Sequence, residues 1–195
     1  MFAIDGSVLN LPQLPTIISH FGGQPKCRGG KIVYPMARLF ALLDVGTGLI
    51  WQSSLEPDAL GEQVAAAEHL SALPANALTL YDRGYPSFFL MALHRQHGQA
   101  FCMRMPRKFS SQIDALFASQ SAARSITLTA NPASAALCLE HGVDASPLQL
   151  RLARVELATE VEVLASSLTD KSAIQNRTLE RSIISAGRSR SASNT

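Results

Sequence analysis

The chain reads as an α/β protein, and three features of its sequence predict that class. Over the first 105 residues, short β-competent apolar runs (2–4, 77–81 and 100–105) alternate with segments of helical spacing (61–73 and 87–97). Residues 106–170 then shift to period-two alternation, as in Ser125-Ile126-Thr127-Leu128-Thr129, which predicts a small antiparallel β-rich insertion. From Lys171 to Thr195 Ser, Arg and Asn dominate around the apolar pair Ile183-Ile184, a composition that predicts a disordered tail. With 195 residues and 47% hydrophobic content, the chain can bury one sizeable core. The expected organisation is therefore a core over 1–105, the insertion over 106–170 and the tail over 171–195.

Phe2 to Ile4 is a short strand that hands Asp5 to an Asp5-Gly6-Ser7 turn. Residues 8–31 are rich in Pro and Gly and carry the basic cluster Lys26, Arg28 and Lys31, so they read as a loop. Ala37 to Val45 and Leu49 to Leu55, joined by Gly46-Thr47-Gly48, predict a hairpin of two buried strands. A helix over 61–73 follows from Val64, Ala65, Glu68, His69 and Ala72 at helical spacing, closed by Pro74. Ala77 to Tyr81 is the next strand, and it hands Asp82 to the turn Asp82-Arg83-Gly84-Tyr85, repeating the arrangement at Asp5. A second helix spans 87–97, stops at Gly98, and is followed by the strand at 100–105. Trp51 and the aromatics of 87–97 belong to the core on this reading. Leu148 to Leu157 and Glu160 to Leu164 alternate and complete the β-rich region.

The formal net charge of +2 does not by itself point to nucleic acid, but it is unevenly spread. Five basic residues against Glu180 give the tail from Lys171 a net +4, which leaves residues 1–170 at −2. Cys27, Cys102 and Cys138 are odd in number and widely spaced, which argues against a disulfide framework or a zinc site and fits a reducing cytoplasm. The His94/His97 pair lacks an acid nearby to complete a metal site. No apolar run reaches the roughly 20 residues that a bilayer span needs, and Met-Phe-Ala-Ile-Asp does not open a signal peptide. Neither a membrane partner nor export is expected.

Asp5 and Asp82 carry the chemistry. Two Asp residues at the ends of neighbouring strands can lie side by side, as in many sheets with sites at strand ends. Paired carboxylates supply hard oxygen ligands for Mg²⁺ or Mn²⁺, and two such ions about 3.5–4 Å apart can activate water and stabilise a leaving oxygen. That is phosphodiester chemistry. Asp-Gly and Asp-Arg-Gly are also ordinary turn formers, so spacing alone leaves a purely structural role open.

Ala3-Ile4-Asp5-Gly6-Ser7 with Leu9 to Leu14, Tyr34-Pro35-Met36-Ala37-Arg38-Leu39, Asp44-Val45-Gly46-Thr47-Gly48 and Tyr81-Asp82-Arg83-Gly84-Tyr85 follow one another in order. In this series, covering about residues 1–170, the chain resembles bacterial DDE-type insertion-sequence transposases. The resemblance is to the insertion sequence four family, whose third motif is Y-x-x-R-x-x-x-E-x-x-x-x-x-x-K. Glu62 and Arg104 also fall where that family tends to keep such residues. The resemblance implies an incomplete ribonuclease-H-like core, a mixed sheet with flanking helices, with a β insertion before the last catalytic helix. It makes Asp5 and Asp82 the first and second catalytic, metal-binding carboxylates, with Mg²⁺ or Mn²⁺ as cofactor and transposon-end and target DNA as partners. Arg83, Arg104, Arg107 and Lys108 are the candidate contacts to DNA phosphates, although ordinary surface solvation explains these charges equally well.

The third motif is absent: no Tyr follows Tyr85, and Glu160, Glu162 and Glu180 lack its Tyr, Arg and Lys neighbours. Nor is there room before Asp5 for the DNA-binding region such transposases usually have. A chain truncated at both ends and inactive, or nearly so, is the expectation. A permitted back-translation of Ala173 to Thr195, read in a neighbouring frame, contains Y-x-x-R-x-x-x-E, which suggests a frameshifted tail. Two alternatives stay open: a non-enzymatic remnant that binds DNA or intact transposase, and a metal-dependent nuclease using Asp5, Asp82 and a carboxylate such as Glu62.

Overall fold

The computed structural model describes residues 1–22, 24–25 and 33–169. The basic cluster Lys26, Arg28 and Lys31, Cys27 and the 171–195 tail lie outside the described residues. In chain order the elements are β1 (Phe2–Asn10), α1 (Pro15–Phe21), β2 (Gln24–Pro25), β3 (Val33–Tyr34), β4 (Met36–Asp44), β5 (Ile50–Pro57) and α2 (Glu62–Glu68) with a 3-10 turn (His69–Ala72). There follow β6 (Leu78–Tyr81), α3 (Phe88–Gln96), β7 (Ala100–Arg104), α4 (Ser111–Ala118), β8 (Ala123–Leu128), α5 (Pro132–Glu140), β9 (Leu148–Glu156) and β10 (Val161–Ser166). Eight strands form one mixed sheet in the order β5-β4-β1-β6-β7-β10-β9-β8, so the α/β class is what the structure shows. The centre, β1-β6-β7, is parallel, and every pairing outside it is antiparallel.

Local chemistry sets the element ends. Ser87 caps α3 by accepting from the Leu90 amide at 3.1 Å, and Gly98, at φ 65, takes the left-handed conformation that stops it. Ser110 and Asn131 cap α4 and α5 in the same way. Asp44 closes the β4–β5 turn, accepting from the Gly46 amide and the Thr47 hydroxyl at 3.0 Å each, and these bonds hold its carboxyl below the usual range.

Several expectations are corrected. β1 runs on through Asn10, because β4 pairs with it along its whole length; Asp5 lies inside a strand and not at a turn. The 8–31 loop contains α1, whose Pro15 occupies the first turn, where a missing amide costs nothing. β5 is mostly exposed, since it is the sheet edge with β4 alone beside it, so the hairpin has one buried strand. Trp51 on β5 is 53% exposed; its ring meets Phe2 edge-on at 5.4 Å, and its indole N–H donates to the Ala72 carbonyl. Residues 106–170 hold α4 and α5 as well as strands, and β10 pairs directly with β7 in the same sheet. The Ala/Ser-rich stretch concealed these helices because their apolar stripes are short.

The two faces of the sheet differ. Buried residues of α2, α3, α4 and α5 pack with Ile4, Phe40, Tyr81, Met103 and Val163 in the main core. The neighbouring residues Leu80, Cys102 and Leu164, with Ala3, Leu78 and Ala153 beside them, form a second, thinner cluster that includes no helix residue among those described. Alternation along each strand therefore sends adjacent residues into different environments.

Candidate functional site

Asp5, Asp82, Arg104 and Glu162 all fall on the face of the thinner cluster, each two residues from one of its members or neighbours: Ala3, Leu80, Cys102 and Leu164. β1 and β6 run parallel with Phe2 opposite Thr79 and Ala3 opposite Leu80, so continuing that register sets Asp82 level with Asp5. β6 and β7 pair up to Tyr81 opposite Met103, which sets Arg104 level with Asp82. β10 returns antiparallel beside β7 and supplies Glu162. Four strands thus deliver acid, acid, base, acid to one end of one face.

The polar contacts follow this row. Arg104 donates through Nη1 to Asp82 Oδ1 at 2.9 Å, through Nε to Glu162 Oε2 at 3.2 Å, and through Nη2 to Glu162 Oε1. Arg83, in the loop after β6, donates to Glu162 at 2.6 Å and to Glu160 at 2.8 Å. Glu162 is only 3% exposed, and a buried carboxylate needs such partners to remain charged. Hydrogen bonding to Glu162 raises the Arg104 pKa, and bonding to Glu160 raises that of Arg83. In return, the bond from Arg83 holds the Glu160 carboxyl below its ordinary value. Asp5 is exposed and accepts from the Gly6 amide at 2.9 Å.

Packing fixes the loops around the pair. Tyr85 is fully buried, and a Cβ on Gly6 would stand 3.0 Å from the Phe40 ring and 3.2 Å from the Tyr85 hydroxyl, so Gly6 lets both rings close on β1 beside Asp5. A Cβ on Gly84 would collide with Glu62 Oε2. Glu62 cannot easily withdraw, because Arg38 on β4 pairs with it and also with Asp58 at 3.0 Å. Glu62 is thus an anchor between α2, β4 and the Asp82 loop.

The structure brings Asp82, Arg83 and Arg104 together and sets Asp5 level with them on the same face. Arg107 and Lys108 lie apart in the exposed loop after β7, where the Arg107 guanidinium sits 4.6 Å from the centre of the Phe117 ring and Lys108 takes φ 66. Glu160 and Glu162 as network members were missed by the sequence reading, which weighed them only against the third motif. The available signal was Glu162 inside a short apolar alternating run, where a buried acid requires a base. Among the described residues no group of three or more His, Cys, Asp or Glu is placed to hold a metal ion. The carboxylates of Asp5 and Asp82 are hard oxygen donors of the kind that a divalent cation keeping most of its waters takes.

The chain is similar to a transposase. A relative from Escherichia coli (strain K12), "Putative transposase InsZ", is 30% identical over 98 residues, which is 50% of this chain and 33% of that protein. The chain thus spans about a third of the length of the curated relative it matches. A cryo-EM structure of a piggyBac transposase synaptic complex with hairpin DNA aligns with 91% of this chain and 35% of its own, at a TM-score of 0.47 and 15% identity. No protein-family model matches the chain. No helix among the described residues is long and apolar enough to cross a membrane.

Proposed function

We propose that this chain derives from a DDE-type insertion-sequence transposase of the insertion sequence four family, with Asp5 and Asp82 as its first two metal-binding carboxylates. The observation that carries the reading is the parallel pairing of β1 with β6, Phe2 opposite Thr79 and Ala3 opposite Leu80, which leads Asp5 within β1 and Asp82 just after β6 toward the same end of neighbouring strands. The similarity to a transposase supports it. A ribonuclease-H-like core is the fold this reading entails, with residues 106–170 as an elaboration of it and 171–195 as a tail.

The chain's own residues do three things in this reading. β1 holds Asp5 within a strand, where geometry is kept better than on loops, and β6 delivers Asp82 as the residue directly after its last one. Arg104 and Arg83 hold the charge of the buried Glu162. Arg107 and Lys108 present cations to a nucleic-acid backbone from the loop after β7. Mg²⁺ or Mn²⁺ bound at the pair would supply Lewis-acid polarisation of a phosphodiester and a lowered pKa for a bound water. Because the third carboxylate motif is missing from this sequence, cleavage and strand transfer are absent or nearly so.

The test is titration of the purified chain with Mg²⁺ or Mn²⁺, following both ion binding and nicking of supercoiled DNA, beside Asp5→Ala and Asp82→Ala. The expected outcome is binding that both substitutions abolish, without nicking. Nicking that disappears in the same variants would reveal a working nuclease and reject the inactivity, while binding that survives both would reject the site.

A further inference from the structure

Resting on the Asp5–Asp82 reading, we propose that Arg104 is a built-in competitor of the divalent cation: its guanidinium, clamped by Glu162, occupies one side of Asp82 and weakens metal binding at the pair. Two of the three Arg104 hydrogen bonds go to Glu162, from Nε and Nη2, and the third crosses to Asp82 Oδ1 at 2.9 Å. The fork to Glu162 is the planar, two-bond geometry that holds guanidinium groups rigidly. Arg104 is therefore held in place when a cation approaches, because leaving would cost Glu162, which is 3% exposed, two of its hydrogen bonds and keep only Arg83 as its guanidinium partner.

Two effects follow from that placement. A donor on Oδ1 takes up part of the lone-pair capacity that a metal ion would use. A fixed positive charge within hydrogen-bonding distance of the ligand also repels a dication. Side-chain exposure of 15% for Arg104 and 29% for Asp82 places the contact between surface and interior, where screening is incomplete. Glu162 is thus a positioning residue for Arg104 and no ligand itself: β7 lies between it and Asp82.

The experiment measures Mn²⁺ affinity of the full 195-residue chain, without DNA, by electron paramagnetic resonance of the free ion. Arg104→Gln should bind Mn²⁺ about tenfold more tightly than the wild type. Arg104→Lys, which keeps the charge and loses the fork, should bind more tightly than the wild type and less tightly than Arg104→Gln. Glu162→Gln, which leaves Asp82 as the carboxylate facing Arg104, should bind more weakly. Binding that Asp82→Asn abolishes but that is unchanged or weaker in Arg104→Gln overturns this inference and leaves the metal pair standing. Binding that ignores Asp5→Asn and Asp82→Asn overturns the pair and this inference with it. Circular dichroism checks folding; if Arg104→Gln does not fold, tighter or unchanged binding in Glu162→Gln overturns the proposal.

Discussion

His94 is fully buried in α3, with its Nε2 2.7 Å from the Tyr81 hydroxyl. Burial disfavours the imidazolium and pushes its pKa down to about 3, with His97 adding to the effect. In the unfolded chain the same group titrates near its ordinary 6.5. Between those values the unfolded state takes up a proton that the folded state refuses. The contribution to stability is complete above pH 6.5 and is lost as pH falls toward 3. Going from pH 7 to pH 4.5 should thus cost about 2–3 kcal/mol from this residue. Urea unfolding at the two pH values measures it, and His94→Phe should show a loss smaller by about that amount. An equal loss in the variant would place the acid sensitivity elsewhere.

Among the elements, α3 anchors more than the core. From its last turn, Arg95 donates to the Ser146 and Pro147 carbonyls at 2.9 and 3.3 Å, to the Asp144 carbonyl at 2.6 Å and to the Asp144 carboxylate at 2.9 Å. It therefore ties down the loop between α5 and β9. Arg95→Ala should lower unfolding free energy by about 1–2 kcal/mol and speed proteolysis within 142–147, measured by denaturant midpoint and by mapping the cut. A cut elsewhere, at unchanged midpoint, would count against the tether. α3 itself was legible, because Ser87, a run of aromatics and Gly98 mark both ends locally. So were β6 and β7, and with them the position of Asp82. The strand-turn reading at Asp5 failed because the length of β1 is set by β4, a partner distant in sequence that pairs with it from Phe2 opposite Asp44 to Asn10 opposite Met36. Likewise, the meeting of Arg104 with Glu162 depends on β10 returning beside β7, a pairing that no local pattern encodes.

At the scale of the molecule, the sheet divides its labour between faces: Ile4, Tyr81, Met103 and Val163 turn to the helices, while Asp5, Asp82, Arg104 and Glu162 turn away. The two sets are interleaved residue by residue along the same strands. Which set faces the helices is therefore a matter of parity, odd positions in β1 and even ones in β6, β7 and β10 carrying the polar row. Parity is indifferent to even shifts and inverted by odd ones. Removing Thr79 alone should turn the Asp82 carboxylate toward the core and the Tyr81 ring outward, whereas removing Leu78 and Thr79 together shortens β6 but keeps the faces. The prediction is a larger fall in thermal midpoint for the smaller deletion; the reverse order would mean that the flanking loops absorb the slip. A gene for such a sheet tolerates length changes two residues at a time better than singly, so indels here should be counted by their remainder and not by their size.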